Sequence, residues 1–393
     1  NESLIVRIED MDTAHNIEGK DKEILEILGL FGIEYTDAIY QSANLRFHRS
    51  MAIQLLQDKK AFNCFCTPAE LDRKRELAEE KNSAFRYDDT CTHLPPEETI
   101  DNENPFTVRF RKPEHAVEVI DLVKGECTFT PDDIDSFIIL RADKLPTGNF
   151  ACAIDDMLND ISLVIRDEDR MENTPRQIAV REALGYDKKV EYAHLPLILD
   201  DKGTSVKHLL EEGFLPEAIG NYLILIGNKT PEEIFTIAEA VEWFDLKNIS
   251  DTPAPFDIEK LKLINREHLK RMDVKELSRY VGFADDDIGQ VARIFLEEAY
   301  TTKELRAKIE PIFEPKSFPE EFAESAATMR EVINAGPFFE DFEEFKAHVM
   351  TESGLEGEKF SKTLQILLTG AQDGPEVADL YPYLKNYIGE IIK

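Results

Sequence analysis

The residues best suited to chemistry in this chain are three clustered thiols. Cys64 and Cys66 are separated by one residue, and Cys91 follows 25 positions after Cys66, with Tyr87 just before it. Thiolates suit Zn2+, and a structural zinc normally takes four ligands in a tetrahedron. Only three cysteines are local, so Tyr87 or His93 would have to complete the set. The same residues also read as three small thiols packed in a core, and spacing alone leaves both readings open.

A second group is acidic. The run RIEDMD places Glu9, Asp10 and Asp12 just past the apolar stretch LIVRI (residues 4–8). Asp167, Glu168 and Asp169 sit in the same way after ISLVIRD (161–167). Ligands of parallel α/β sheets bind beyond the carboxyl ends of strands. These acids therefore read either as a site for a cationic group, such as a substrate ammonium, or as solvated turns. Arg166, among them, is suited to bidentate capture of a carboxylate; its plainer role is to balance its acidic neighbours. His48 and His194 have no partner identifiable from the sequence and read as structural. The chain contains no phosphate-cradling glycine-rich loop and no arguable Ser-His-Asp arrangement.

The elements that must position these groups follow from periodicity. LIVRI reads as a strand, and residues 20–33 and HRSMAIQLLQDKKAF as helices. A CxC turn, a highly charged helix and the strands TVRFRK and HAVEVIDLVKGECTF make a small α+β insertion. SFIILRA (136–142) and ISLVIRD read as buried strands, a helix spans NTPRQIAVREALGY, and HLPLIL is a further strand. This alternation favours a mostly parallel α/β domain interrupted by the insertion. From residue 205 onward the pattern is almost wholly helical, with Phe342, Phe345 and Val349 in one apolar stripe and Leu364, Leu367 and Leu368 in another. DTPAPFD (251–257) marks a linker or boundary.

At 393 residues the chain exceeds one ordinary core, so two or more domains are expected. Its formal net charge is -33, from 79 acids against 46 bases. That balance opposes casual binding to phosphate backbones, whose affinity comes from Lys and Arg displacing counterions, although a local basic patch remains compatible with it. Five cysteines fit a reducing cytosol better than a disulfide framework, and no long uncharged apolar run suggests a membrane span. The start reads directly into a strand, which suggests residues before it.

Taken together, these strings resemble the bacterial glutamyl-tRNA synthetases, class I enzymes that activate glutamate with ATP and load it onto tRNA. RIEDMD resembles that family's RIEDTD; NCFCT with RYDDTC is similar to its zinc module, which usually ends RYDGTC. VIRDEDRMENTPRQ resembles VIRGEDHxSNTPRQ, LPTGNFACAIDD resembles TPTYNFACxxDD, and GFLPEAIGNYLILIG and LINREHLK match later helical regions.

The resemblance implies a Rossmann-type catalytic domain (1–59 and 136–200), an α+β zinc-module and acceptor-binding insertion (60–135), a stem-contact region (201–256) and a helical anticodon-binding domain (257–393). It also implies that Glu9 meets the glutamate ammonium, Arg166 meets one of its carboxylates, and Cys152 lines the pocket. Glu168 and Asp169 would lie near ATP, with Mg2+, and Cys64, Cys66, Tyr87 and Cys91 fall on the four zinc-ligand positions. Glutamate and tRNA(Glu) are the implied partners, with a cytoplasmic monomer expected and no membrane.

The departures from the family pattern are equally informative. The HIGH motif would precede RIEDTD by one helix, ahead of the first residue here. LPLILDDKGTSVK closes directly where a lysine-rich KMSKR loop belongs. Gly148 replaces a pocket Tyr, Asp167 the Gly of RGED, Arg170 the following His, and Glu172 a Ser. His15 stands at the basic position after RIEDTD, Asp251 replaces the Arg of SRSPA, and Gln365 an Arg of PLRxxLTG. These changes lead to the expectation of absent or very weak aminoacylation. The alternatives are a non-catalytic paralogue or engineered scaffold, or a tRNA-binding module without catalysis.

Overall fold

The computed structural model describes residues 3–12, 16–100 and 102–393. His15 lies outside them. The chain divides into two compact units. The first comprises residues 1–199, 227–229 and 244–254, and the second 200–226, 230–243 and 255–393.

In the first unit, strand β1 (Ile5–Ile8) pairs in parallel with β2 (Asp37–Tyr40) across helix α1 (Lys20–Leu30). Helix α2 (Leu45–Gln57) leads to β3 (Ala61–Cys64) and the charged helix α3 (Pro68–Glu80). α3 starts where the sequence TPAE dictates. The Thr67 hydroxyl accepts from Glu70 N at 3.3 Å, and the Glu70 carboxylate accepts from Thr67 N at 2.7 Å, which satisfies two orphan amides reciprocally. A short helix α4 (Pro96–Ile100) precedes strands β4 (Thr107–Phe110), β5 (Val117–Asp121) and β6 (Gly125–Phe129). Then come α5 (Pro131–Ile134), β7 (Ile138–Leu140), α6 (Gly148–Leu158), β8 (Leu163–Asp167), α7 (Thr174–Ala183) and β9 (Glu191–Leu195).

Two larger sheets hold the site. One runs in the order β6-β5-β9-β8, with β8–β9 and β5–β9 parallel and the β5–β6 hairpin antiparallel. The other, β3-β4-β7, is antiparallel. Two strand readings therefore change. SFIILRA joins the antiparallel sheet rather than a parallel one, because its neighbour β4 already runs against it. ISLVIRD is only half-buried, with Ile165 52% exposed, because it is the edge of its sheet. The core under α2, α6 and α7 is built from Ala52, Leu55, Phe150, Ile154, Ile139 and Val180, all fully buried.

The second unit is helical. Its acids start several helices: Asp257, Asp273, Asp285 and Asp341 each accept backbone amides of the following turn, which offsets unpaired donors and favours the positive helix end. Phe345 and Val349 are buried and Phe342 half-buried, and Leu364, Leu367 and Leu368 are buried, as their stripes predict. Among the described residues, no helix is long and apolar enough to cross a membrane.

The helix Asp286–Phe295 approaches the start of the helix Val274–Tyr280 closely at Gly289, where a Cβ would come within 2.0 Å of the Val274 carbonyl oxygen. Gly289→Ala should therefore push the two helices apart and cost about 3 kcal/mol or more. The check is urea unfolding followed by far-ultraviolet circular dichroism, and an unchanged midpoint would refute the close packing.

Candidate functional site

Helix α6 carries two adjacent buried carboxylates, Asp155 and Asp156, that organise the neighbouring elements. Asp155 Oδ1 accepts from Asn44 Nδ2 at 2.9 Å and pairs with His48 Nε2 at 2.9 Å, while Oδ2 accepts from Gln41 Nε2 at 3.2 Å. Asp156 takes Arg7 Nη1 from β1 at 2.5 Å and Arg181 Nη1 from α7 at 3.3 Å, and Arg181 also donates to the buried Tyr192 hydroxyl. Burial opposes the charge on Arg7, but Cys152, Asp156 and Glu9 outweigh it and hold that guanidinium above its ordinary pKa.

Arg7 also reaches Glu9 at 3.4 Å, and Glu9 Oε1 accepts from Cys152 Sγ at 3.1 Å. Cys152 is buried and its thiol is pushed up to about 12, chiefly by desolvation. It is therefore a neutral, shape-defining group rather than a nucleophile. Two of the three acids of RIEDMD separate here by role. Asp10 accepts from the Ser42 amide and hydroxyl and is spent on the loop after β2, whereas Glu9 remains 55% exposed beside Cys152.

Arg166, at the carboxyl end of β8, is held by three neutral acceptors. Its Nε donates to His194 Nε2 at 3.1 Å, Nη1 to Gln177 Oε1 at 3.2 Å, and Nη2 to Thr174 Oγ1 at 2.6 Å. Its guanidinium also lies 5.7 Å from the Tyr192 ring centroid. Among the described residues, no carboxylate lies within ion-pair distance of it. Desolvation lowers its pKa, and it feels the fields of Tyr192, Cys152, Asp156 and Arg7. Glu9, Cys152 and Arg166 therefore belong to one charged neighbourhood with Arg7. Such a half-buried cation without a counter-ion is a ready anion site.

The residues after β8 behave differently. Glu168 is engaged by the Lys124 ammonium and by Leu197 N, and the Lys124 hydrogen bond first, then the amide, holds its carboxyl below the usual range. Asp169 is exposed, 3.6 Å from Arg170. At Gly148 a Cβ would meet nothing within 4 Å, so this position is open space at the start of α6.

The thiol cluster is assembled by β3, by the start of α3 and by the returning chain. The Cys64, Cys66 and Cys91 sulfurs lie within 4.8 Å of one another, with Cys66 and Cys91 3.6 Å apart. A tetrahedral site with Zn–S near 2.3 Å needs sulfurs about 3.8 Å apart, so the spacing fits. The Tyr87 hydroxyl lies 3.4 Å from Cys64 Sγ and 3.5 Å from Cys66 Sγ, which places a fourth oxygen donor on the cluster. Arg109 donates to Cys64 Sγ at 3.3 Å and sits 3.8 Å from the Tyr87 ring centroid. Desolvation opposes a Cys64 thiolate, but the Tyr87 hydroxyl and Arg109 outweigh it and lower its pKa. This donor set could hold a soft divalent metal. It fits Tyr87 rather than His93 as the fourth member.

Sequence reasoning missed the partners of both histidines. His48 pairs with Asp155, and His194 Nδ1 lies 2.5 Å from Asp121 Oδ2, with all four side chains fully buried. Their partners are 107 and 73 positions away along the chain. Arg7, Asp121, Asp156 and Arg181 were also missed, since nothing local in the sequence distinguishes them from surface charges.

Comparison with known proteins covers the chain from end to end. The family model described as tRNA synthetases class I (E and Q), catalytic domain, matches residues 1–263. A glutamate–tRNA ligase 2 of Sulfurimonas denitrificans is 62% identical, with all of this chain and 93% of the relative covered. A glutamate–tRNA ligase 1 of Nitratiruptor sp. is 54% identical over the same shares. Among solved structures, a glutamate tRNA ligase from Elizabethkingia meningosepticum, crystallised with its amino acid, superposes with a TM-score of 0.78 at 25% identity. That match covers all of this chain and 93% of that one. The alignment to the Sulfurimonas relative spans 401 positions against 393 residues here, so that relative carries residues inside the matched span that this chain lacks.

If the thiol cluster is a metal site, elemental analysis of the purified protein should return about one zinc per chain. Cys91→Ala should lose the metal and lower the thermal midpoint. A metal-free wild type that tolerates Cys91→Ala would identify the thiols as core packing.

Proposed function

We propose, since this chain belongs to the bacterial glutamyl-tRNA synthetases of class I, that it binds L-glutamate between Glu9, Cys152 and Arg166 for ATP-dependent activation and transfer to tRNA(Glu). The observation that carries this reading is Arg166. It is a half-buried guanidinium with three neutral acceptors and no carboxylate among the described residues, on a chain with 79 acids. A substrate carboxylate supplies the missing countercharge. Glu9, half-exposed and fixed by Arg7 and Cys152, offers a carboxylate to the substrate ammonium. Cys152, kept neutral by burial, bounds the pocket without competing for either charge.

In the activation step a glutamate carboxylate oxygen attacks the α-phosphorus of ATP, the bond to the bridging oxygen breaks, and pyrophosphate leaves. Bound ATP and Mg2+ supply the electrophile and its charge neutralisation. Glu168 and Asp169 are our candidates for the ATP side. Asp169 is exposed and, among the described residues, paired only with the exposed Arg170, whereas Glu168 would first have to share its carboxylate with Lys124 and Leu197 N. We assign residues 60–135 to the acceptor-binding insertion around a structural zinc on Cys64, Cys66, Tyr87 and Cys91. Residues 201–256 are assigned to stem contacts and 257–393 to the anticodon, in a cytoplasmic monomer.

A second reading, binding without efficient catalysis, is favoured by the turn at Asp200. The Asp200 carboxylate accepts from the Lys202 and Thr204 amides, and Gly203 adopts φ 63°, so the chain closes tightly with one lysine where the family carries a lysine-rich loop. Missing donors at the charge that develops on the phosphate would slow the step by about 10²–10³ each.

Calorimetric titration with L-glutamate should give saturable binding that Arg166→Ala abolishes. Glutamate-dependent pyrophosphate exchange should be about 10²-fold or more slower than in a variant with a lysine-rich loop inserted after Gly203. Wild type that fails to bind glutamate sinks the first reading, and unchanged exchange on loop insertion sinks the second.

A further inference from the structure

The hairpin strand β5 ends in a carboxylate that is used entirely inside the protein. Asp121 is 4% exposed; its Oδ1 accepts from the Val123 and Lys124 amides at 2.9 and 2.7 Å, and its Oδ2 faces His194 Nδ1 at 2.5 Å. His194, on β9, is fully buried and stacks against Tyr192 at 5.8 Å between centroids. Its other nitrogen, Nε2, meets Arg166 Nε and Thr174 Oγ1, both at 3.1 Å.

The proton on this ring is fixed from both sides. An ionised carboxylate can only accept, so Nδ1 must carry the hydrogen. A guanidinium can only donate, so Nε2 must be the lone pair. The two constraints agree on one neutral tautomer. Burial, the largest influence on the ring, also favours the neutral form. The result is an ion pair with an imidazole between its members: the negative charge on Asp121 sits one ring away from the Arg166 guanidinium. Arg166 is thereby held by its Nε edge without a carboxylate on its outer face. Three of its five N–H donors are taken by His194, Gln177 and Thr174, and two remain for an external anion.

We infer that Asp121 is a positioning residue for glutamate binding: through the His194 tautomer it orients Arg166 while keeping that guanidinium's outer donors free. The inference rests on the reading of Arg166 as a carboxylate site. It also gives strand β5, which lies in the sequence range assigned to the insertion, a direct part in ordering the amino-acid pocket. Replacing Asp121 with Asn keeps the shape but presents an N–H to Nδ1. The ring then carries its proton on Nε2, and two donors face each other at Arg166.

The test uses the full chain labelled with 15N-histidine, the His194 signals being identified by their loss in His194→Gln. Long-range 1H–15N spectra at pH 7.5 should show wild-type His194 protonated at Nδ1 alone. In Asp121→Asn the proton should move to Nε2, and the Kd for L-glutamate should rise about tenfold or more, the lower end of the scale set by losing partners that orient metal-ligating side chains. An imidazolium or an Nε2-protonated ring in wild type overturns the inference without any variant having to fold. Wild type that binds glutamate, beside an Asp121→Asn protein with reversed tautomer and unchanged Kd, overturns the positioning role alone. Wild type that binds no glutamate overturns the substrate reading and the role built on it.

Discussion

The arrangement depends first on two neighbouring carboxylates buried in helix α6. Asp155 and Asp156 are 1% and 2% exposed, and an uncompensated charge at either position would cost several kcal/mol. Each is therefore surrounded by donors from different parts of the chain. Asp155 draws in Gln41, Asn44 and His48, while Asp156 draws in Arg7 and Arg181. Because adjacent helix positions point in directions about 100° apart, one dipeptide ties β1, the α2 region and α7 to a single helix. Glu9 and Cys152 take their places from that tie, since Glu9 is two residues past Arg7, just beyond the end of β1, and Cys152 is one turn before Asp156.

The acidity of the chain has a more local meaning than its net value suggests. Many acids are consumed within the fold, as helix caps, as the buried pair of α6, and as Asp121 behind His194. Where cations are buried, the protein sets acids against them sparingly. Arg7 and Arg181 share Asp156, whereas Arg166 receives only neutral acceptors. That contrast distinguishes Arg166 from the two arginines that share Asp156. Composition cannot express it, because all three are simply arginines near acids in the sequence.

Legibility varied with the range of the interaction. The charged helix after the CxC turn and the apolar stripes of Phe342, Phe345 and Val349 and of Leu364, Leu367 and Leu368 could be read directly because their causes lie within a few residues, whereas the Thr67–Glu70 cap and the β5–β6 hairpin are findings of the structure. The thiol cluster was legible in part: the CxC spacing and the return to Cys91 were visible, spacing alone left Tyr87 and His93 open, and the family resemblance implied Tyr87, whose hydroxyl the fold sets 3.4 Å from Cys64 Sγ. β7 was read as a strand correctly and assigned to the wrong kind of sheet, because a short apolar run looks the same whichever way its neighbours run.

The sequence by itself determined the elements, the thiol grouping and, through its motif strings, the family, because these depend on local periodicity and on residue identity in order. Tertiary structure alone decided which charges pair. It set Asp10 against Ser42 and left Glu9 open. It gave His48 and His194 their aspartates from 107 and 73 positions away, and it left Arg166 without a carboxylate among the described residues. The physical reason is that burial energies of ions depend on groups brought within about 3 Å by folding, and sequence separation carries almost no information about that distance.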